Sequence, residues 1–408
     1  MSVRFVRVLA WMAACCVAGP AAANQTYKVA YTIGFDPAKH EATVEITTTP
    51  GTGALKRLRL TKDPDRHSVF KGDGKVTRDG DSITWRPPAD RPGSLRFSYK
   101  VDHRRSNGAY DARITDDWAI LRVDRLIPPA AAVADGSSTA SLTFDLPEGW
   151  SGADIGYRLN LDKSRYVVAN PGRRFQQPVG WLIAGDIGTR REYMHGTEFA
   201  VAAPKGQDVR RNDVLAFVHA SALELLSAFG RLPTKVLIVG AGDPMWRGGL
   251  SAPNSLYLHA DRPLVGEGGT SPLLHELVHV ITRIRGVRGQ DWIAESFAEY
   301  YSILIAQRSG LVSDTRTHRA LELLRSQGRN VRTLRGAESS GARTARGVIL
   351  LSELDAEIRA QTDAAHNLDA VTRQLVGKGR ISLEQLKDAA HRVTGQASKV
   401  LESPLLGG

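Results

Sequence analysis

The hydrophobic pattern of this 408-residue chain changes between Val201 and Asp208, from strands alone to helices with a few strands among them, and a chain that does so folds neither as all-β nor as all-α. From Gln25 to about Val201 it reads as short strands. Segments 27–35, 42–48, 82–85, 94–101, 118–123, 140–144 and 180–184 are rich in β-branched and aromatic residues, with Gly, Pro, Asp and Asn between them. Segments 129–138 and 170–177 read as loops. The expectation for 24–205 is a β-rich, β-sandwich-like N-terminal domain.

Beyond Asp208 the apolar residues recur at helical spacing. Residues 214–229 fit an amphipathic helix that ends before Gly230-Arg231-Leu232-Pro233, and 235–239 and 255–259 read as strands. Pro272 suits the first position of a helix, and the apolar run from Leu273 to Ile284 carries that helix towards Gly286 as a stop. Asp291 is placed to cap a second helix reaching about Arg308. Segments 316–325, 345–359, 368–376 and 383–393 carry further helical patterns. The expected class is α+β, with an α/β lobe over 206–290 and a helical lobe over 291–408.

The first two dozen residues read as an export signal. Arg4 and Arg7 precede an apolar run, and Ala21, Ala22 and Ala23 form a small-residue cleavage site, so 1–23 is removed and the product goes to a bacterial periplasm or the medium. Met12-Ala13-Ala14-Cys15 resembles a lipoprotein cleavage box, which makes a lipid anchor at Cys15 the alternative. Cys15 and Cys16 are the two cysteines of the chain, so cleavage after Ala23 leaves neither thiol nor disulfide. The formal charge of +11 falls to +9 with Arg4 and Arg7 gone. Such an excess favours anionic surfaces or acidic substrates, or is a solvated basic face. No compact basic run appears, and no nucleic-acid partner is expected.

One segment carries chemistry. In His275-Glu276-Leu277-Val278-His279 two imidazoles four residues apart share a helix face with a carboxylate beside them, the HExxH pattern. A catalytic zinc takes three protein ligands and leaves a position for water. Glu295, in the first turn of the next helix, is the candidate third ligand, and Glu299, one turn further on the same face, is the candidate partner of a ligand imidazole's outer nitrogen or a plain surface carboxylate. Glu276 is then the candidate general base of a hydrolase acting on peptides, and the lobe over 206–290 is the catalytic one. The remaining histidines form no comparable cluster.

The pairing of His275 and His279 with Glu295-Ser296-Phe297-Ala298 and Tyr300-Tyr301 resembles the gluzincin aminopeptidases, most closely the glycyl aminopeptidase family. Phe229 to Pro233, Gly248-Gly249-Leu250 with Ser255, and Gly347 followed by Leu354-Asp355 and Ile358-Arg359 extend the likeness. The resemblance implies a thermolysin-like catalytic domain with a helical C-terminal lobe, a zinc ion, peptide or protein substrates, and substrate contacts from Gly248, Gly249, Leu250 and Ser251. This chain departs from the family pattern in four ways. Fifteen residues separate His279 from Glu295, a few fewer than usual. Ser251 stands where the family has an amine-docking carboxylate, Thr344 where it has an oxyanion-stabilising tyrosine, and the 408 residues hold no counterpart of the family's PDZ domain. His318, His366 and Tyr257 are candidates to replace the tyrosine.

Two functions therefore compete: a zinc peptidase, either endopeptidase or relaxed aminopeptidase, and a zinc-holding, catalytically weak protein that binds peptides or envelope partners. The Thr344 departure is testable directly, since one oxyanion donor is worth about 3–4 kcal/mol in the transition state. Thr344→Tyr is expected to raise turnover at least about tenfold, and adding Ser251→Glu to shift preference to free α-amines. Rates on paired free and acetylated peptides check both.

Overall fold

The structure, a computed structural model, describes residues 25–407. The candidate export signal and Cys15 lie outside those residues. Strands dominate the first part and helices the last, a mixed α+β architecture in several layers. None of the described helices is long and apolar enough to cross a membrane.

Three sheets build the N-terminal part. The largest centres on Thr26–Asp36, which runs parallel to Ser137–Asp145 and antiparallel to Glu41–Thr49. Tyr27, Val29, Tyr31 and Ile33 point inwards from it while Lys28 and Ala30 face solvent, the period of two that the sequence shows. A four-stranded sheet with Leu55–Thr61 and Ser82–Arg86 at its centre, and a five-stranded one with Trp118–Arg122 and Trp181–Gly185 at its centre, close over the same core. The segment read as a loop over 129–138 contains the strand Ala130–Ala134, which pairs with Leu55–Thr61; its run of alanines carries little strand propensity, so the pairing, not the composition, makes it a strand.

A further five-stranded sheet has the order Ile187–Met194, Thr197–Pro204, Lys235–Ala241, Ser255–His259, Gly249–Ala252. Its first two strands, assigned by sequence to the N-terminal domain, pair instead with Lys235–Ala241. A continuous strand pattern hides such a boundary, because nothing local tells which sheet a strand joins. One face of this sheet, with Val236 and Ile238, packs on the helices. The other, with Leu237, Val239 and Tyr257, packs on Trp118, Ile120, Trp181 and Ile183 of the N-terminal part.

Charge is buried at this second contact. Asp154, wholly buried, accepts from Lys235 Nζ at 2.6 Å and from Arg191 Nη2 at 2.5 Å, and Glu198 Oε1 lies 3.3 Å from the same ammonium. Removing Asp154 takes the closest counter-charge from the buried Lys235 ammonium and leaves it only Glu198, at 3.3 Å. Asp154→Ala is expected to destabilise by about 3–5 kcal/mol, and Asp154→Leu with Lys235→Met to recover much of that; unfolding midpoints in denaturant measure both.

Candidate metal centre

The motif helix, Pro272–Thr282, starts with Ser271 accepting from the Leu274 N–H at 3.2 Å and Pro272 in the first turn, where a missing N–H costs nothing. Its apolar face, with Leu273, Leu274, Leu277 and Val278, is buried in the helical core. The helix stops four residues short of the expected Gly286. Arg283 takes φ 54° and caps it, and Arg285–Gly286 leave to pair with Arg380–Ile381. The freed chain turns sharply enough for Trp292–Arg308 to begin beside it, so the short gap still returns Glu295 to the motif.

Helix Trp292–Arg308 is pinned at both ends. Near its end Tyr301 donates to Asp369 Oδ1 at 3.0 Å, and Arg308 Nη1 meets Asp369 Oδ2 at 2.7 Å. Near its start Gly347 of helix Ala342–Gln361 presses on Ser296: a Cβ at Gly347 would sit 1.9 Å from Ser296 Oγ. The glycine lets the two helices approach closely one residue beyond Glu295, and leaves the buried Ser296 hydroxyl without a partner. Asp291, expected as the side-chain cap, instead accepts from the Ser339 N–H at 2.9 Å.

These elements bring His275, His279 and Glu295 together. The two Nε2 atoms lie 3.2 Å apart, and each is 3.4 Å from a different Glu295 oxygen. Glu299 Oε2 lies 2.8 Å from His275 Nδ1, which assigns the proton there and turns the Nε2 lone pair towards the cluster. Burial pushes the His275 imidazole down, but Glu295 and Glu299 outweigh it and hold it up at about 10. Burial raises Glu295, and the two imidazoles outweigh that and bring it down to about 2. The cluster is thus built to stabilise positive charge.

A zinc ion fits this donor set. Four ligands at about 2.0–2.1 Å in a tetrahedron stand about 3.3–3.4 Å from one another, close to the three separations observed. Two imidazole lone pairs facing at such a distance repel unless a cation or proton lies between them.

Gly249–Ala252 is the edge strand and runs beside the motif helix. Ser251 N–H donates to Glu276 Oε2 at 2.7 Å, and a Cβ at Gly249 would meet Glu276 Cγ at 3.1 Å, so glycine is what lets strand and carboxylate approach. Gly248 precedes the strand and accepts from the His259 N–H at 3.0 Å, while the Leu250 side chain is exposed. Trp181 Nε1 donates to the Leu250 carbonyl at 2.8 Å, a contact from the N-terminal part that local sequence patterns do not signal. Beside the cluster a cleft of about 550 Å³ is lined by Ser251, Pro253, His279, Arg283, Asp291 and Glu295, among others. Thr344 Oγ1 pairs with Ser339 Oγ at 3.1 Å and does not line this cleft. Neither do His318, His366 and Tyr257; the Tyr257 hydroxyl donates to the Trp246 carbonyl at 3.2 Å.

No family model matches the chain, and no curated protein matches it in sequence. Its fold does match solved structures. An aminopeptidase N family protein from Idiomarina loihiensis superposes with a TM-score of 0.61 at 14% identity, over 86% of this chain and 70% of that one. A mutant of the M1 zinc metallopeptidase from Deinococcus radiodurans gives 0.59 at 16% identity over 94% of both chains. Legionella pneumophila aminopeptidase A, in complex with aspartic acid, gives 0.53 at 12% identity over 93% of this chain and 49% of that one. At such identities the likeness is one of fold. It lies with aminopeptidase N and M1 peptidases; the likeness to glycyl aminopeptidases stands on the sequence landmarks alone.

The His275–Glu299 bond makes a graded expectation. Zinc, at about one per chain by elemental analysis, is lost in His275→Ala and His279→Ala, and Glu299→Gln keeps the ion but weakens its affinity about 10–100-fold in chelator competition.

Proposed function

We propose that this chain is a zinc-dependent peptidase of the gluzincin type, exported on its N-terminal signal, in which His275, His279 and Glu295 hold the ion. The observation that carries the reading is the triangle of three donor atoms with the Glu276 carboxylate alongside, under an edge strand and open to a cleft. That solved structures of similar fold are described as aminopeptidases and a zinc metallopeptidase supports peptide hydrolysis as the reaction class.

When bound, zinc supplies a Lewis acid that polarises the scissile carbonyl and makes water a nucleophile near neutral pH. The rest falls to the chain. The outer edge of Gly249–Ala252 bears no strand among the described residues, so an extended peptide can pair along it beside Glu276. Glu276 Oε2 is engaged by the Ser251 N–H, which orients the carboxylate and leaves Oε1 to take the proton of the attacking water and return it to the leaving nitrogen. Ser251 offers no charge to a substrate α-ammonium, which favours an endopeptidase or a relaxed aminopeptidase over a strict one.

One observation favours the second reading, a zinc-holding protein that binds peptides and turns them over weakly: no tyrosine is among the residues that line the cleft. Fragments from a mixed peptide library, read by mass spectrometry with and without chelator, separate the two. The peptidase reading expects chelator-sensitive cleavage that drops at least about 100-fold in Glu276→Gln, with zinc retained. Equal rates in that variant would remove Glu276 as the base, and bound but uncut peptides would establish the weak binder.

A further inference from the structure

The cleft beside the candidate metal centre is lined by four arginines, Arg173, Arg283, Arg285 and Arg380, and the acidic residues that line it are Asp291 and Glu295. Glu295 belongs to the donor triangle, and Asp291 is engaged by the Ser339 N–H. Among the described residues none of the four arginines forms an ion pair with a carboxylate.

Their placement is costly. Arg285 and Arg380 are register partners across a parallel pair of two-residue strands, and like charges set side by side in a sheet repel. Both are exposed, so solvent screens part of that. Arg283 is half-buried, and its side-chain hydrogen bond goes to a neutral acceptor, Asn254 Oδ1, at 2.5 Å. Burial lowers its pKa, and Arg231 and Arg173 push the same way against the Tyr157 hydroxyl. The carbonyl end of the motif helix gives Arg283 a partial negative charge, about half a unit, far less than four guanidinium groups carry. Three separate pieces of chain bring these groups together: loop residue Arg173 from the N-terminal part, the turn after the motif helix, and the strand Arg380–Ile381. Ser251, which also lines the cleft, adds no opposing charge.

We propose that this cleft recognises a carboxylate of the substrate, either an acidic side chain or a C-terminal carboxylate, near the bond that is cut. Guanidinium groups suit that ligand because they meet a carboxylate through two parallel hydrogen bonds. An anion seated between Arg285 and Arg380 turns their repulsion into two attractions, and the same contact penalises a neutral amide that leaves the guanidinium groups unpaired. The proposal deepens the peptidase reading and rests on it.

Binding separates the two claims. Zinc-loaded Glu276→Gln protein is titrated with dansylated Ser-Ala octapeptides that carry one central Glu or Gln and a free or amidated C-terminus, with fluorescence anisotropy as readout. A preference of about tenfold for Glu over Gln assigns the recognised group to a side chain, and the same preference for free over amidated ends assigns it to the C-terminus. Either preference is expected to shrink in 0.5 M salt and to fall below about twofold in Arg285→Met/Arg380→Met, whose substituted side chains are exposed, and in Arg283→Met, each checked for a native circular-dichroism melt. Equal affinity for all four peptides, or no measurable binding, overturns the proposal. A clear preference in binding, with no cleavage of any of the peptides by wild-type protein, instead overturns the peptidase reading and leaves the carboxylate site standing.

Discussion

Strand Lys235–Ala241 is buried along its whole length because two cores meet on it. Val236 and Ile238 face the helices, while Leu237, Val239 and Ala241 face the tryptophans of the N-terminal part. At roughly 25 cal/mol per Å² of apolar surface removed from water, covering both faces holds the sheet firmly against its neighbours on either side. The candidate metal centre depends on that double contact. The helical side carries the motif helix, and the N-terminal side holds the edge strand through Trp181, so the Glu276 carboxylate and the strand that orients it are positioned from opposite layers.

Within the helical side, close approach does what bulk cannot. Gly249 lets the edge strand come within contact of Glu276, and Gly347 lets helix Ala342–Gln361 press on Ser296 beside Glu295. A side chain at Gly249 would press on the candidate base Glu276, and one at Gly347 on Ser296, next to the candidate ligand Glu295. The Tyr301, Asp369 and Arg308 network holds the far end of the same helix, so Glu295 is fixed along the axis by hydrogen bonds and across it by packing. Phe229, at the start of one of the sequence landmarks, packs edge-on against Tyr301 at 4.9 Å and so adds to this anchoring.

The candidate site was legible where its geometry is local. His275, Glu276 and His279 share a face through helical spacing alone, and Glu295 with Glu299 follows from the start of the next helix. The helix over 214–229 ends at Gly230, which caps Arg211–Phe229 with φ 73°. Where partners are distant in sequence, legibility failed. The strand Ala130–Ala134 is mostly alanine, the hairpin Ile187–Met194 and Thr197–Pro204 carries no mark of the sheet it joins, and Arg283, which caps its helix early, has its side-chain partner Asn254 in a turn about thirty residues earlier in the chain.

The amino-acid sequence by itself determined the change from strand to helix near residue 205, the helix start at Ser271-Pro272 and the pattern of donor residues, because each depends on backbone preference and periodicity over one or two turns. Only the tertiary structure decided that Glu276 is held by the Ser251 N–H, that Glu295 completes a triangle with the imidazoles, and that Arg173, Arg283, Arg285 and Arg380 line one cleft. Those facts need segments up to about two hundred residues apart to meet, and what brings them together is the burial of apolar surface from both ends of the chain, which no local pattern encodes.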